Sequence, residues 1–164
     1  MKSAKRKLLL YPGTYAVCRL GENANPPEWG SQGHFFSLTR TEEELSVVCL
    51  ENLVPRGVKM EGGWRALKVE GPLDFSLTGV LASLTAVLAE KRISVFALST
   101  YDTDYLLVKE KRLEEAIQSL REEGYETHKV RSRGGFETRP YGVRSKRRRL
   151  RTPHGRPAGR PSKS

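Results

Sequence analysis

Between Trp64 and Val130 the hydrophobic period switches back and forth between two residues and about 3.6 residues, and this confines the segment to very few folds. Residues Trp64–Glu70 alternate, with Trp64, Ala66 and Lys68 on one side and Arg65, Leu67 and Val69 on the other. The run closes at Gly71-Pro72, as a strand does. Leu77, Val80, Leu81, Leu84, Val87 and Leu88 then fall at helical spacing and predict one apolar stripe facing a core, with Ser76 or Thr78 capping its start. Ile93–Ser99 and Tyr105–Lys109 read as two strands joined by Thr100-Tyr101-Asp102-Thr103-Asp104. Leu113, Ala116, Ile117 and Leu120 mark a second amphipathic helix that begins among acids and stops at Gly124. Tyr125–Val130 supplies a last strand. The order βαββαβ predicts an α+β fold of the ferredoxin-like kind, both helices on one face of an antiparallel sheet.

The preceding residues are mostly β in character. Leu8–Leu10 and Thr14–Leu20 are strand-like around the turn pair Pro12-Gly13. After a polar stretch in which Pro26-Pro27-Glu28-Trp29 can open a helical turn, Phe35–Thr39 and Leu45–Leu50 form a hairpin across Arg40–Glu44. The boundary between halves is placed at Glu61-Gly62-Gly63. Residues 1–63, 64–130 and 131–164 are therefore expected to be an N-terminal half, a βαββαβ domain and a basic tail.

Charge separates these parts sharply. The net charge of +10 lies almost wholly in residues 131–164, which hold 12 Lys/Arg and one acid, leaving 17 basic against 18 acidic residues before them. The body thus lacks the basic surface expected of a nucleic-acid-binding fold. In the tail, Ser145–Arg151 can neutralise phosphates, and Gly155-Arg156-Pro157 and Gly159-Arg160-Pro161 weakly resemble an AT-hook. The alternative reading of function follows: a nucleic-acid-binding protein acting through its tail, with the body as scaffold. A disordered, solvated extension explains the same composition and is preferred.

Cys18 and Cys49 sit in apolar runs without a C-x-x-C or paired histidines, so reduced core thiols are expected. No run approaches the roughly eighteen apolar residues that span a bilayer, so no membrane partner is expected. Basic Met1–Lys7 precedes an apolar run, Leu8–Tyr11, too short for a secretory signal, and a cytoplasmic protein is expected.

Catalysis finds little support in motifs. His34, His128 and His154 lie in separate segments, and no nucleophile elbow, zinc-protease, P-loop or dinucleotide motif occurs. Neither metal nor cofactor is expected. An enzyme would require a deep pocket holding His34 or His128 against a carboxylate.

Binding is better supported. The first strand-to-helix loop, Gly71–Gly79, and the turn Ser99–Asp104 should meet at one edge of the βαββαβ unit. A helix N-terminus there offers N–H groups and a positive dipole end to a carboxylate, and Gly79 would admit a ligand to the backbone. Asp74, Asp102 or Asp104 can pair with an ammonium group, and Ser99, Thr100 and Tyr101 can add hydrogen bonds. Local roles compete: Asp74, Ser76 and Thr78 can serve as turn and cap residues, and Asp102-Thr103-Asp104 as a plain hairpin turn.

The segments Val69-Glu70-Gly71-Pro72-Leu73-Asp74-Phe75-Ser76-Leu77-Thr78-Gly79-Val80 and Ser99-Thr100-Tyr101-Asp102-Thr103-Asp104-Tyr105 resemble the ACT domain. More narrowly, they are similar to the subfamily of small bacterial ACT proteins related to the cytosolic arginine sensor. The resemblance covers Trp64–Val130, and the first half is similar to the degenerate, mostly β ACT-like half that precedes it there. It implies a non-catalytic regulatory protein that binds an amino acid, often between ACT units, and so a possible homodimer. The ligand-binding set it implies is Asp74, Ser76, Thr78, Gly79, Ser99, Thr100, Tyr101, Asp102 and Asp104.

Overall fold

One strand organises the molecule. In the computed structural model, which describes residues 6–131, the strand β5 (Lys59–Val69) is paired along both edges and buried along both faces of its second half. On one edge lie, in succession, β1 (Lys7–Leu10) and β2 (Tyr15–Leu20), both antiparallel to it. The other edge takes β7 (Asp104–Lys109), with β6 (Val95–Ser99) outside it. Beyond β2 come β4 (Leu45–Leu50) and β3 (Ser37–Arg40), completing an eight-stranded sheet with β8 (Glu126–Lys129) beside β1. The helices are α1 (Val80–Glu90) and α2 (Leu113–Glu122).

The alternation in Trp64–Val69 is what lets β5 face two cores. Leu67 and Val69 point to the helical side, among Leu84 and Leu88 of α1, Ala116 and Leu120 of α2, and Leu106 and Val108 of β7. Trp64 and Ala66 point to the opposite side, packed with Tyr15, Phe35, Tyr105 and Leu107. There the rings of Phe35 and Tyr105 stack 4.4 Å apart. The expected α+β ferredoxin-like arrangement is present, with one departure in pairing. The last strand, β8, does not adjoin β5; β1 stands between them, antiparallel to β5 and parallel to β8. Leu8 and Leu10 explain the insertion, since both are buried in the helical-side core and their strand is hydrogen-bonded on both edges. Polar β8 is left as the outer strand, where charged side chains are tolerated.

β5 also starts before Trp64 and runs through Glu61-Gly62-Gly63, its register against β2 shifting between Tyr15 and Val17. The Pro27 neighbourhood forms only a short 3₁₀ turn, Glu28–Ser31.

Two expectations at the start of α1 are corrected. Leu77 does not join the apolar stripe: it precedes the helix and is 45% exposed. Neither Ser76 nor Thr78 caps α1, because Gly79 occupies the N-cap with φ +76° and no side chain bonds there. The reason lies upstream. The Asp74 carboxylate accepts hydrogen bonds from the Ser76 N–H (2.8 Å) and hydroxyl (2.5 Å), and Leu77 N–H donates to Asp74 C=O (3.0 Å), closing a turn that cannot continue as helix.

Three contacts fasten that loop to the β6–β7 turn. Leu73 N–H donates to Asp102 C=O at 2.7 Å. The buried Thr103 hydroxyl donates to Val69 C=O at 2.6 Å, at the end of β5. Gly71 lies so close that a Cβ on it would come within 2.9 Å of the Asp102 carbonyl oxygen. Thr103→Val keeps the shape and leaves the Val69 carbonyl without this partner, so a stability loss of about 1–3 kcal/mol is expected, read as a lower urea midpoint with unchanged m-value.

Cys18 and Cys49 are buried, free thiols in the third core, beside Leu45 and Val47. Burial pushes the Cys49 thiol up to about 12, and burial raises Cys18 as well. The folded protein is therefore expected to resist an aromatic disulfide reagent at about pH 8, where the thiolate is scarce, and both thiols to react at once in denaturant.

Candidate ligand site

The fastened loops leave a recess of about 300 Å³ between them and the first turn of α1. That size is at the small end of the range for small-molecule sites, roughly 300–1,000 Å³. Asp74 and Gly79 from one loop and Ser99, Thr100, Tyr101, Asp102 and Asp104 from the other line it. Ser76 and Thr78 are not among its walls; Ser76 instead holds Asp74. Leu73, Phe75, Leu77, Val80, Leu81, Ala82 and Thr103 complete the lining.

Each polar group has a definite local state. Ser99 donates to the Asp104 carboxylate at 2.5 Å. The Thr100 hydroxyl donates to Thr103 C=O (3.0 Å) and accepts from its N–H (3.3 Å), forming the turn. The bonds from Ser76 hold the exposed Asp74 carboxyl below its ordinary range. The Asp102 carboxylate makes no hydrogen bond or ion pair with another described residue, and its charge acts on the Tyr105 hydroxyl, helping to keep it protonated. The first N–H groups of α1 have no intrahelical acceptors, and no side chain caps them. One recess thus presents a partial positive charge from the helix end and negative charge from Asp102 and its neighbours. No Lys or Arg lines it.

Two aromatic side chains stand at the recess almost uncovered. Phe75 is 75% exposed and Tyr101 80%, and their rings meet edge to face with centroids 5.0 Å apart. Large apolar surface left this open commonly marks a place where something binds. Phe75 and Thr103 lie inside the two expected segments but outside the set of residues expected to contact a ligand. Thr103 reads as one more turn residue, and only burial beneath the loop distinguishes it.

A second, larger recess of about 760 Å³ opens elsewhere and is lined by residues from five separated parts of the chain, His34, Glu51 and Glu110 among them. His128 meets Glu126 on the exposed surface at 3.3 Å. The basic segment 132–164, and the nucleic-acid reading that rests on it, lies outside the described residues. Among the described residues no helix is long and apolar enough to cross a membrane.

Comparison with known proteins agrees with the geometry. A model described as the ACT domain matches residues 59–122, and one described as an N-terminal domain matches residues 13–57. The cytosolic arginine sensor for mTORC1 subunit 1 of Bos taurus is 36% identical over 104 residues, covering 57% of this chain. The match takes in only 32% of that relative, so the chain spans about a third of its length. A crystal structure of an Agrobacterium tumefaciens protein is 35% identical, with 79% of this chain and 97% of that one covered and a TM-score of 0.74. Aspartate kinase from Synechocystis, 11% identical with a TM-score of 0.56 over 80% of this chain and 29% of that one, shares the fold. By its sheet, its stapled loops and these matches, the chain belongs to the ACT-domain proteins, in the subfamily related to the cytosolic arginine sensor.

Proposed function

We propose that the protein is a non-catalytic, cytoplasmic sensor that binds an amino acid in the recess between Gly71–Gly79 and Ser99–Asp104. The observation that carries this reading is the pairing of opposite charges in one small recess: the uncapped N-terminus of α1 and the Asp102 carboxylate, to which no basic side chain in the lining is opposed. A zwitterion matches both, its carboxylate on the N–H groups near Val80–Ala82 and its ammonium on Asp102. Asp74, Gly79, Ser99, Thr100, Tyr101 and Asp104 form the rim in this reading, and Ser76 and Thr78 act indirectly through the loop. Phe75 and Tyr101 would be covered when a second ACT unit closes the mouth, as a homodimer would provide. The division into residues 1–63 and 64–130 then separates a supporting half from the binding half. Arginine is the first ligand to try, because a relative is named for sensing it.

A thermal-shift screen of the twenty amino acids at millimolar concentration tests this. One amino acid is expected to raise the midpoint, since a ligand present at a hundredfold its Kd adds about 2.7 kcal/mol. Asp102→Asn should weaken that ligand at least about tenfold, as loss of a charged hydrogen bond does. If no amino acid moves the transition, the sensor reading falls.

A further inference from the structure

The rings of Phe75 and Tyr101 stand almost uncovered at the smaller recess, and the same chain carries a segment whose chemistry fits over them. We propose that the basic segment Ser145–Arg151 docks across Phe75 and Tyr101 when the recess holds no amino acid.

The surface there is aromatic first and acidic second. Leu77, 45% exposed, extends the aromatic pair, and the carboxylates of Asp74, Asp102 and Asp104 share a lining without lysine or arginine. The Ser83 hydroxyl in the first turn of α1 meets the Tyr125 hydroxyl at 2.8 Å, which brings the acidic end of α2, Glu122 and Glu123, beside that turn. Against these stand Arg121, which donates to the Thr127 hydroxyl, and Lys7, whose strand partner is Glu126. Arginine meets such a surface in two ways at once, its planar guanidinium over an aromatic face and its N–H groups on carboxylates.

The chain's own tail supplies that chemistry. Lys146, Arg147, Arg148, Arg149 and Arg151 carry the charge, and Leu150 among them offers an apolar side chain to Leu77. A second body does not, since residues 1–130 hold 17 basic against 18 acidic residues. The segment is also within reach. β8 ends at Lys129 beside Leu10, which is opposite Leu67, close to the Val69 end of β5 where the recess begins. β5 lies two strands from β8, at about 4.8 Å per strand. Residues 131–144 reach about 45 Å when extended, enough to return to that end of the sheet. Contacts that are weak singly on an exposed surface suffice when tethered, because the effective concentration is on the order of millimolar. An amino acid in the recess and a second ACT unit over its mouth would each displace the segment. That consequence rests on the sensor reading; the docking does not.

The experiment compares ¹⁵N spectra of the full chain with those of a full-length variant carrying Arg147→Ser, Arg148→Ser and Arg149→Ser, in the absence of any amino acid. At about 50 mM salt the amides of Phe75, Leu77 and Tyr101 are expected to differ between the two, while those of Ala16 and Val47 in the third core coincide. Raising the salt to about 0.5 M is expected to move the parent's shifts onto the variant's, because exposed charge contacts are screened. Tyr101→Ser, at a largely exposed side chain, should abolish the salt dependence at Leu77. Coincident spectra at low salt, the result if the segment serves nucleic acid alone, overturn the proposal. Differences that grow with protein concentration also overturn it, since they mark the tail of a second copy. The amino-acid screen has no bearing on these spectra, so the two readings fail separately.

Discussion

Everything in this fold depends on β5 being hydrogen-bonded along both edges and packed on both faces. A strand in that position cannot slip, because a shift of one residue would exchange Trp64 and Ala66 for Arg65 and Leu67 between two cores of different shape. Its C-terminal end at Val69 is consequently a fixed point, and the loop that follows starts from a defined place and direction. Its N-terminal part does the same for the other half, since β2, and through it β4 and β3, are hung on residues Lys59–Trp64. The two halves share one sheet through this strand and through the pairing of β1 with β8.

The smaller recess is a consequence of how β5 ends. The Thr103 hydroxyl binds the last carbonyl of the strand, and Leu73 binds the carbonyl of Asp102, so the two loops are held by backbone groups and one buried side chain. Local turn chemistry engages several of the residues proposed for ligand contact, Asp74, Ser99, Thr100 and Asp104 among them. Asp74 and Asp104 are each occupied by a serine, which orients them as rim charges without freeing them. Asp102 contributes its carbonyl to the staple, and its carboxylate charge acts on the Tyr105 hydroxyl. A recess whose shape is set before anything binds loses little entropy on binding, and that favours small ligands with few contacts to offer.

Much of this was legible in the residues because it is local and periodic. The two faces of Trp64–Val69 and the stripe from Val80 to Leu88 follow from spacing alone, and both appear as expected. The placement of β1 between β5 and β8 was not legible. It joins residues about sixty and one hundred and twenty positions apart, and nothing in Leu8-Leu9-Leu10 says which strands will flank it. Leu77 misled because its spacing suits a helix, while the Asp74 turn and the conformation of Gly79 govern the path there. The larger recess was invisible for a different reason. Its walls come from segments that share no motif, and only the fold brings Thr14, Glu51 and Glu110 together.

The two recesses differ in the one property that most strongly sorts small polar ligands. The smaller adjoins a helix N-terminus, whose N–H groups attract negative charge, beside carboxylates that attract positive charge. In the larger, Glu51 and Glu110 already have partners, the Gly63 N–H and Arg65, and His34 is also in the lining; the element nearest it, Glu51–Leu53, is a single 3₁₀ turn too short to sum its dipoles. Opposite charges stand close together only in the smaller one. β5 holds both recesses in one sheet, while the charges around them are set by separate loops.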